Sequence, residues 1–308
     1  MTKPAAAPSR LFRILGVGEL LWDLLPDGPQ LGGAPANFAL HARALGADAA
    51  LVSRVGADAR GRDAVARLTA AGLPGELIQL DPLAPTGTVS VRFDAGGQPQ
   101  FTIHEQVAWD LLTADAAAIA AVAGADAVCF GTLAQRTPTG RAAVQALVAA
   151  SPATALRLFD INLRQHFHGP DVIRDSLGLA NVLKISDAEW PVLEAQFRLT
   201  GRLTDQIESL ARQFALRAVA LTRGASGSLL YHRGEWADDP GEPVQVVDTI
   251  GAGDAFTSAM TMALLAGWRV AGVNAFAGEV GRYVCGHPGA TPLLPSRFSA
   301  RLQNIDHS

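Results

Sequence analysis

The stretch that decides the fold reads Asp248-Thr249-Ile250-Gly251-Ala252-Gly253-Asp254-Ala255-Phe256. Its small residues stand directly before an acidic residue, and a run with helical character follows from Phe256 to Leu265. Small residues let the backbone approach a ligand closely, and the start of a helix presents unpaired N–H groups and a partial positive charge. We therefore expect a phosphate group to bind at this point of the chain.

Asp254 carries the chemistry of this stretch. A carboxylate beside a phosphate would repel it, so we do not expect Asp254 to bind the anion. It suits a general base that takes a proton from a hydroxyl group attacking phosphorus. The alternative is an ordinary acidic residue in the first turn of a helix, where acids are favoured. The stretch alone leaves both interpretations open.

The composition describes a globular protein with a large core. The chain has 308 residues, of which 49% are hydrophobic and 18% charged, and its net charge is −4. This charge gives no general attraction to nucleic acid or to anionic membranes, so a phosphate site must be local. Cys129 and Cys285 lie in apolar surroundings and are predicted to be buried free thiols. With no disulfide framework, signal-peptide core or membrane-spanning run, we expect a cytoplasmic protein without a membrane partner.

Short apolar runs alternate with alanine-rich helical segments along the chain. The runs are continuous in their apolar character, which indicates strands buried on both faces of a sheet. They lie at 12–18, 49–53, 127–131, 156–160, 182–185 and 218–222, and the predicted helices lie at 36–45, 59–71, 114–123, 140–150 and 205–214. The alternation predicts an α/β fold, with a mostly parallel central sheet and helices on both faces. We expect one domain over residues 11–302.

Two segments interrupt this alternation. Residues 20–25 follow the first strand without a helix, and residues 88–93 and 100–104 form a hairpin around the glycine-rich turn 94–98. They cannot join the parallel sheet without a crossover connection, so we place them in a small separate β-sheet. Ligands of open α/β sheets bind at the carboxyl ends of the strands. We therefore predict that segments 19–31 and 86–108 form a lid over that edge.

A second motif, Gly32-Gly33-Ala34-Pro35-Ala36-Asn37-Phe38-Ala39, precedes the first helix. Paired glycines let a ligand touch backbone, and Asn37 offers both a donor and an acceptor from the first helical turn. Asp23, just before this motif, adds a carboxylate. An acid, an amide and exposed backbone suit a polyhydroxylated ligand, whose hydroxyls need donors and acceptors. The alternative is a strand-to-helix turn in which Asn37 caps the helix locally.

Two other nucleotide-binding motifs are excluded. Gly16 and Gly18 follow a strand, but the third glycine and the helix of a dinucleotide-binding fingerprint are missing. The chain also contains no G-x-x-x-x-G-K-[ST] sequence and is not a P-loop enzyme. A nucleotide must therefore be held at the helix start that follows Gly251.

The two motifs together resemble a known family. The run Gly32–Ala39, followed by Gly46 and Gly56, resembles the first signature of the ribokinase-like (PfkB) carbohydrate kinases. Asp248–Met260 resembles the second signature, and the two appear in the family's order. Intermediate stretches are similar as well, namely Phe159–Arg164, Lys184–Glu189 and Leu221–Ser228. The resemblance covers residues 12–297.

The resemblance implies roles for the residues at the two motifs. Asp254 matches the catalytic base of the family, and the amides of Gly251, Ala252 and Gly253 match its anion hole. These amides would stabilise charge on the transferred phosphoryl group. The positions assigned to the sugar are Asp23, Gly32, Gly33, Asn37 and Arg164. Arg164 and Lys184 each have two further interpretations, as a cation that neutralises phosphate charge or as a member of a structural ion pair.

The resemblance also implies a nucleotide side and two cation sites. The nucleotide-side positions are Lys184, Ser186, Glu189, Thr222, Gly224 and Gly227. Glu189 matches the acid of an N-x-x-E motif that organises Mg²⁺ through water, with Ser186 in place of the asparagine. Ser186 has a structural alternative, the N-cap of the helix that follows. A monovalent-cation loop, taking K⁺, would involve Asp248, Ile250 and Gly289.

The function implied is an ATP-dependent sugar kinase that uses Mg²⁺. The segments around Glu19 and Lys184 resemble fructokinases more than ribokinases, which makes fructose the expected sugar. Kinases of ribose, 2-keto-3-deoxygluconate and nucleosides share both signatures and stay open. A competing class is a non-catalytic sugar-binding regulator on the same fold, and such a protein is expected to have lost Asp254 or its glycines. We expect a homodimer, because a small sheet with one uncovered apolar face is marginal alone.

Overall fold

A computed structural model describes residues 11–26, 28–93 and 99–303. Its described strands form a large sheet in the order β13-β12-β11-β10-β9-β8-β1-β4-β5. The strands are β1 Arg13–Val17, β4 Asp48–Gly56, β5 Ile78–Asp81, β8 Ala127–Phe130, β9 Leu156–Asp160, β10 Val182–Ser186, β11 Ala218–Thr222, β12 Ser228–His232 and β13 Glu235–Asp239. Strands β1, β4, β5, β8, β9, β10 and β11 are parallel, with β1 central between β4 and β8.

Helices cover both faces of this sheet. They are α1 Ala34–Ala44, α2 Ala59–Ala70, α3 Ala116–Ala123, α4 Pro138–Ala150, α5 Pro170–Leu179, α6 Trp190–Phe197, α7 Leu203–Phe214, α8 Ala252–Leu265, α9 Val270–Cys285 and α10 Ser296–Gln303. One apolar core holds side chains of α3 to α7, and the other holds side chains of α1, α2 and α8 to α10. Successive strand residues point to opposite faces, so Ile14 lies in the second core and Leu15 in the first. The predicted α/β fold is confirmed.

A small second sheet has the order β3-β2-β6-β7. Its strands are β2 Leu21–Leu25, β3 Gly28–Gly32, β6 Gly87–Phe93 and β7 Pro99–Ile103. β2 pairs in parallel with β6, and the other two pairings are antiparallel. The predicted separate sheet is therefore present, whereas its predicted turn at 94–98 lies outside the described residues. β3 was not predicted as a strand, and it ends at the first glycine of the second motif.

The edges of the large sheet differ from the sequence prediction. β12 and β13 are antiparallel, and neither was predicted. β5 was also missed, because its residues Ile78–Asp81 include polar side chains and form no continuous apolar run. β5 and β13 are the two edge strands and β12 is next to an edge, in positions that need a continuous apolar run less than the central parallel strands do. The parallel strands between them match the prediction closely.

The two cysteines differ in burial. Cys129 is buried, as predicted, but Cys285 is only half-buried, because it ends α9 at the surface. Trp22 and Trp109 are both fully enclosed in the core. The Trp22 ring nitrogen donates to the Arg60 carbonyl at 3.1 Å, so this side chain is a structural anchor. In the described part of the chain, no helix has the length and apolar character to cross a membrane.

Candidate active site

The second signature forms the start of α8. Gly251 is the N-cap with φ 77°, and Asp254 is the third residue of the helix. A side chain at Gly251 would collide with the Ala290 carbonyl, so this turn requires glycine. A Cβ at Gly253 would lie 3.1 Å from the amine of Lys184, which brings that cation against the first helical turn. The first N–H groups of a helix have no intrahelical acceptor and remain available to an anion, although the Ala252 amide also approaches the Thr249 carbonyl at 3.4 Å.

The two sequence motifs meet at a single hydrogen bond. Asn37 Nδ2 of α1 donates to Asp254 Oδ2 of α8 over 2.8 Å, although the residues are 217 positions apart. Proline in the first turn of α1 suits a helix start, because the missing N–H would have no partner there. Asn37 faces α8 and does not cap its own helix, so the local-cap interpretation of Asn37 is wrong. The bond places the candidate sugar position beside the candidate base.

The environment of Asp254 raises its pKa to about 6. The largest cause is removal of the carboxylate from water, and the negative charge of Asp160 adds to it. The Asn37 hydrogen bond and the charges of Lys184 and Arg164 act in the opposite direction. The side chain keeps some exposure, so a substrate hydroxyl can reach it. A carboxyl group with this pKa is mostly ionised at neutral pH and is still a stronger base than an exposed aspartate.

A buried polar network underlies the helix start. Lys184 Nζ of β10 lies 3.1 Å from Asp160 Oδ1 of β9, and both side chains are almost fully enclosed. The Thr257 hydroxyl lies within hydrogen-bonding distance of two acceptors, Asp160 Oδ2 at 2.9 Å and the Gly253 carbonyl at 2.8 Å, and shares its one hydrogen between them. Burial alone would lower the pKa of the Lys184 amine, but the charges of Asp160 and Asp254 outweigh it and raise that pKa. The structural ion-pair interpretation of Lys184 therefore holds, and the pair also lies directly below the anion site.

The remaining candidate sugar residues surround the turn before α1. A Cβ at Gly32 would collide with Asp23 Oδ2, so the carboxylate of β2 rests on the backbone of β3. Burial raises the pKa of Asp23 to about 6, and the charge of Arg164 opposes that rise. Gly33 is the N-cap of α1 with φ 115°. Arg164 lies in the exposed loop after β9, and its charge acts on Asp23 and on Asp254.

Glu19 is a further acidic residue at this site that we did not assign to it from the sequence. It connects β1 to β2, is 3% exposed, and accepts from the Ala34 amide at 3.2 Å through Oε1. Its Oε2 has no hydrogen-bond partner among the residues that the structure describes. Burial raises the pKa of Glu19 to about 7, with a smaller rise from the charge of Asp254. Backbone hydrogen bonds and the charge of Arg164 oppose this rise.

Replacing Glu19 by glutamine is expected to change how stability depends on pH. Because the pKa is higher in the folded protein than in the unfolded chain, the folded state binds more protons between pH 4.5 and about 7. The wild-type free energy of unfolding therefore falls as pH rises through this window, by on the order of 3 kcal/mol from this group alone. Glu19→Gln has no carboxyl group at this position, so its free energy of unfolding should not show this decrease. Denaturant unfolding should therefore give the variant a higher free energy of unfolding, relative to that of the wild type, at pH 8 than at pH 5.

A matched control for this prediction is Glu76→Gln, which removes the same charge from an exposed position. Its stability relative to the wild type should be the same at both pH values. A constant difference for Glu19→Gln across the two pH values would contradict a raised pKa for Glu19.

Glu189 is held by the protein on both carboxylate oxygens. Oε1 accepts from the Leu163 amide at 2.7 Å, and Oε2 accepts from the Ser186 amide at 2.9 Å and hydroxyl at 2.7 Å. The helix that follows, α6, begins at Trp190 with Glu189 as its N-cap residue. Ser186 is therefore not the N-cap, and that alternative is wrong. Its hydroxyl orients Glu189, and of the four acceptor positions of this carboxylate one, on Oε1, is left for water.

Three of the nucleotide-side positions lie at the end of β11 or in the turn that follows it. Thr222 ends β11 opposite Ser186 of β10, and its carbonyl accepts from the Asp187 amide at 2.8 Å. Gly224 begins a short 3₁₀ turn with φ 55°, and Gly227 follows it with φ 79°. The three positions lie at the same edge of the sheet as Lys184. Among the described residues, no hydrogen bond joins these three positions to Asp254.

The candidate cation loop is closed by Asp248. Its two carboxylate oxygens accept from the Ile250 amide at 2.9 Å and from the Gly289 amide at 3.1 Å. The side chain therefore ties the start of the second signature to the turn after α9. Within the described ranges, no three His, Cys, Asp or Glu side chains cluster as a metal site.

The fold and the site define a class of protein. A parallel α/β sheet, a small sheet beside it, a glycine-rich helix start and an adjacent carboxylate are the parts of a phosphotransferase acting on a hydroxyl group. Residues 29–297 match the pfkB family carbohydrate kinases, and the chain belongs to this family. As a member of this family, the protein is an ATP-dependent carbohydrate kinase.

Similar proteins agree with this class. The chain is 30% identical over 264 residues to a fructokinase of Klebsiella pneumoniae, covering 82% of this chain and 85% of that protein. It is 28% identical over 310 residues to a fructokinase of Escherichia coli, covering 91% and 95%. An uncharacterized sugar kinase of Pyrococcus horikoshii, solved in complex with ATP, superposes with a TM-score of 0.78 at 27% identity. That comparison covers 95% of this chain and 100% of the other.

Proposed function

We propose that this protein transfers the γ-phosphoryl group of ATP to a hydroxyl group of fructose. The observation that carries the proposal is the hydrogen bond from Asn37 to Asp254, which joins the sugar motif to the base. The similar fructokinases support fructose over ribose, 2-keto-3-deoxygluconate or a nucleoside. Both Asp254 and the glycines before it are intact, which speaks against a regulator without activity.

The proposed reaction needs one proton transfer and one displacement. Asp254 removes the proton of the attacking hydroxyl group, whose oxygen forms a bond to the γ-phosphorus while the bond to ADP breaks. The amides of Gly251, Ala252 and Gly253 stabilise the negative charge on the transferred group. Lys184 adds a positive charge beneath the same turn. Asp254 then holds the proton until the product leaves.

The sugar hydroxyl groups are assigned to the cluster around the turn before α1. Asp23 accepts hydrogen bonds, Asn37 can donate and accept, and the Gly32 and Gly33 backbone lets the ring approach closely. Arg164 supplies the positive charge that balances the acidic residues around it. The mixture fits a neutral polyol, which needs both donors and acceptors, better than an anionic sugar phosphate.

Two cations complete the proposal. Glu189 fits Mg²⁺ held through water, because three of its four acceptor positions are already used by Leu163 and Ser186. When bound, Mg²⁺ neutralises charge on the phosphates of ATP. The backbone carbonyls of Asp248, Ile250 and Gly289 would hold K⁺. Thr222, Gly224 and Gly227 are assigned to the nucleotide phosphates on the neighbouring strand.

The small sheet is proposed as a lid and as the contact surface of a homodimer. It stands beside the sugar cluster, since β2 carries Asp23 and β3 ends at Gly32. A lid excludes water, which Asp254 would otherwise activate to hydrolyse ATP. Light scattering tests the dimer, and a monomeric mass in solution would contradict it. A cytoplasmic location also stays a prediction.

The proposed function is tested by following ATP consumption with a panel of sugars. Fructose, ribose, 2-keto-3-deoxygluconate and a nucleoside are compared with and without Mg²⁺ and K⁺. We expect turnover to be highest with fructose. Turnover with another sugar alone would correct the substrate, and no turnover with any of them, together with tight sugar binding, would favour a regulator.

Asp23→Ala and Asn37→Ala should raise the KM for the sugar far more than the KM for ATP. Both side chains are assigned to sugar hydroxyl groups, and a lost hydrogen bond to a charged group costs about 1.5–3 kcal/mol. This corresponds to roughly tenfold to a hundredfold in KM for Asp23. Steady-state kinetics with each substrate varied in turn measures the effect. Equal rises in both KM values would show that these residues support the fold and do not contact the sugar.

A further inference from the structure

His41 makes a buried contact that the proposed reaction does not yet use. It lies on α1, one turn after Asn37 and on the same face, and is 1% exposed. Its Nε2 atom is 3.0 Å from the carbonyl oxygen of Ala290, a residue 249 positions away. The helix that carries the candidate sugar residues is thereby joined to the turn that follows α9.

The chemistry of this contact assigns the proton on the ring. Burial lowers the pKa of His41 to about 4, so the imidazole is neutral at physiological pH. A backbone carbonyl oxygen can only accept a hydrogen bond. The ring is therefore the tautomer with hydrogen on Nε2, and this N–H donates to Ala290.

Ala290 in turn is packed against the anion turn. Its carbonyl carbon and its Cα would each lie 2.7 Å from a Cβ at Gly251, so the two backbones touch. The preceding residue, Gly289, donates its amide to Asp248 at 3.1 Å. The turn at Gly289 and Ala290 is thus held by the anion stretch on one side and by His41 on the other.

We propose that His41 is a positioning residue that fixes the Ala290 peptide against Gly251 and so sets the amides of the anion turn relative to Asp254. The proposal rests on the proposed function, in which those amides bind the transferred phosphoryl group. α1 then contacts the catalytic turn at two points, directly through Asn37 and indirectly through His41. A displacement of about 1 Å at a reacting centre can cost roughly a hundredfold in rate.

Three variants separate this role from packing. His41→Leu keeps the bulk and removes the donor. Gln places its amide nitrogen as many bonds beyond Cβ as the Nε2 atom of histidine, whereas Asn falls one bond short. His41→Gln therefore keeps the donor within reach of Ala290, and His41→Asn, an amide of the same chemistry, does not. His232→Leu, at the end of β12 and without an assigned role, is the matched control.

The experiment measures kcat, both KM values and thermal unfolding for each variant with ATP and the best sugar. We expect His41→Leu and His41→Asn to lower kcat by roughly tenfold to a hundredfold. The KM for the sugar should stay within about threefold of wild type, since Asn37 is untouched. His41→Gln should recover kcat to within a few-fold of the wild type, and His232→Leu should leave it unchanged.

Two results would overturn the proposal. One is a kcat of His41→Asn equal to that of His41→Gln. This comparison can be made even if His41→Leu does not fold. The other is a leucine variant that folds and keeps wild-type kcat. Failure of the proposed function looks different, because the wild type would then turn over none of the sugars or Asp254→Asn would be fully active.

Discussion

Replacing Asp254 by asparagine is expected to lower kcat by roughly 10²–10⁴-fold, the range for a positioned general base. The amide cannot take a proton from the attacking hydroxyl group, and every other group at the turn stays in place. Binding of ATP should change little, because the proposal assigns the phosphates to the backbone of the turn. Steady-state kinetics and isothermal titration with a non-hydrolysable ATP analogue measure the two effects separately.

The pH dependence of the wild type gives an independent check on Asp254. The base works only when ionised, and burial together with the charge of Asp160 raises its pKa to about 6. The value of kcat/KM should therefore fall below this pKa, by about tenfold per pH unit from Asp254 alone and more steeply where Asp23, whose pKa is also raised to about 6, loses its charge. Asp254→Asn should show a shallower acidic limb along with the loss of most of its activity.

Thermal unfolding supplies the control for Asp254→Asn. Because the carboxyl group is partly removed from water, its neutral amide should leave the midpoint equal to or above that of the wild type at pH 7. A stable variant with kcat within a few-fold of the wild type would remove Asp254 from the role of base. A loss of activity that tracks a loss of folded protein would also fail to support it.

Local signals explain why the two motifs could be found in the sequence. Glycine at Gly251 and proline at Pro35 mark helix starts through their own backbone preferences, whatever surrounds them. The parallel strands are equally visible, because burial on both faces leaves a continuous apolar run. β13 gives no such signal, since its residues Glu235–Asp239 are mostly polar and lie at the edge of the sheet.

The buried acidic residues could not be assigned in the same way. Asp160 is one acid at the end of an apolar strand, and its partners Lys184 and Thr257 lie 24 and 97 positions away. Glu19 looks like a connection between two strands until the fold encloses it beneath α1. His41 sits in a helical pattern that predicts nothing about Ala290. These roles depend on contacts between distant segments, which only the assembled sheet brings together.

Replacing Asp160 by alanine is expected to destabilise the protein by about 3–5 kcal/mol, the cost of leaving one partner of a buried ion pair uncompensated. The Lys184 amine would remain enclosed without its carboxylate, and Thr257 would lose an acceptor. Activity should fall as well, because Lys184 lies against the anion turn and would no longer be held there. Denaturant unfolding measures the first effect, and kcat measured at a temperature where the variant is folded gives the second.

The double variant Asp160→Ala with Lys184→Met separates stability from catalysis. Methionine has a similar length and no charge, so the uncompensated cation disappears and much of the lost stability should return. The charge beneath the anion turn is then missing, and kcat should stay low. Recovery of both stability and kcat would show that Lys184 acts only in the ion pair. A double variant as unstable as Asp160→Ala alone would contradict the idea that an unpaired Lys184 is the cause.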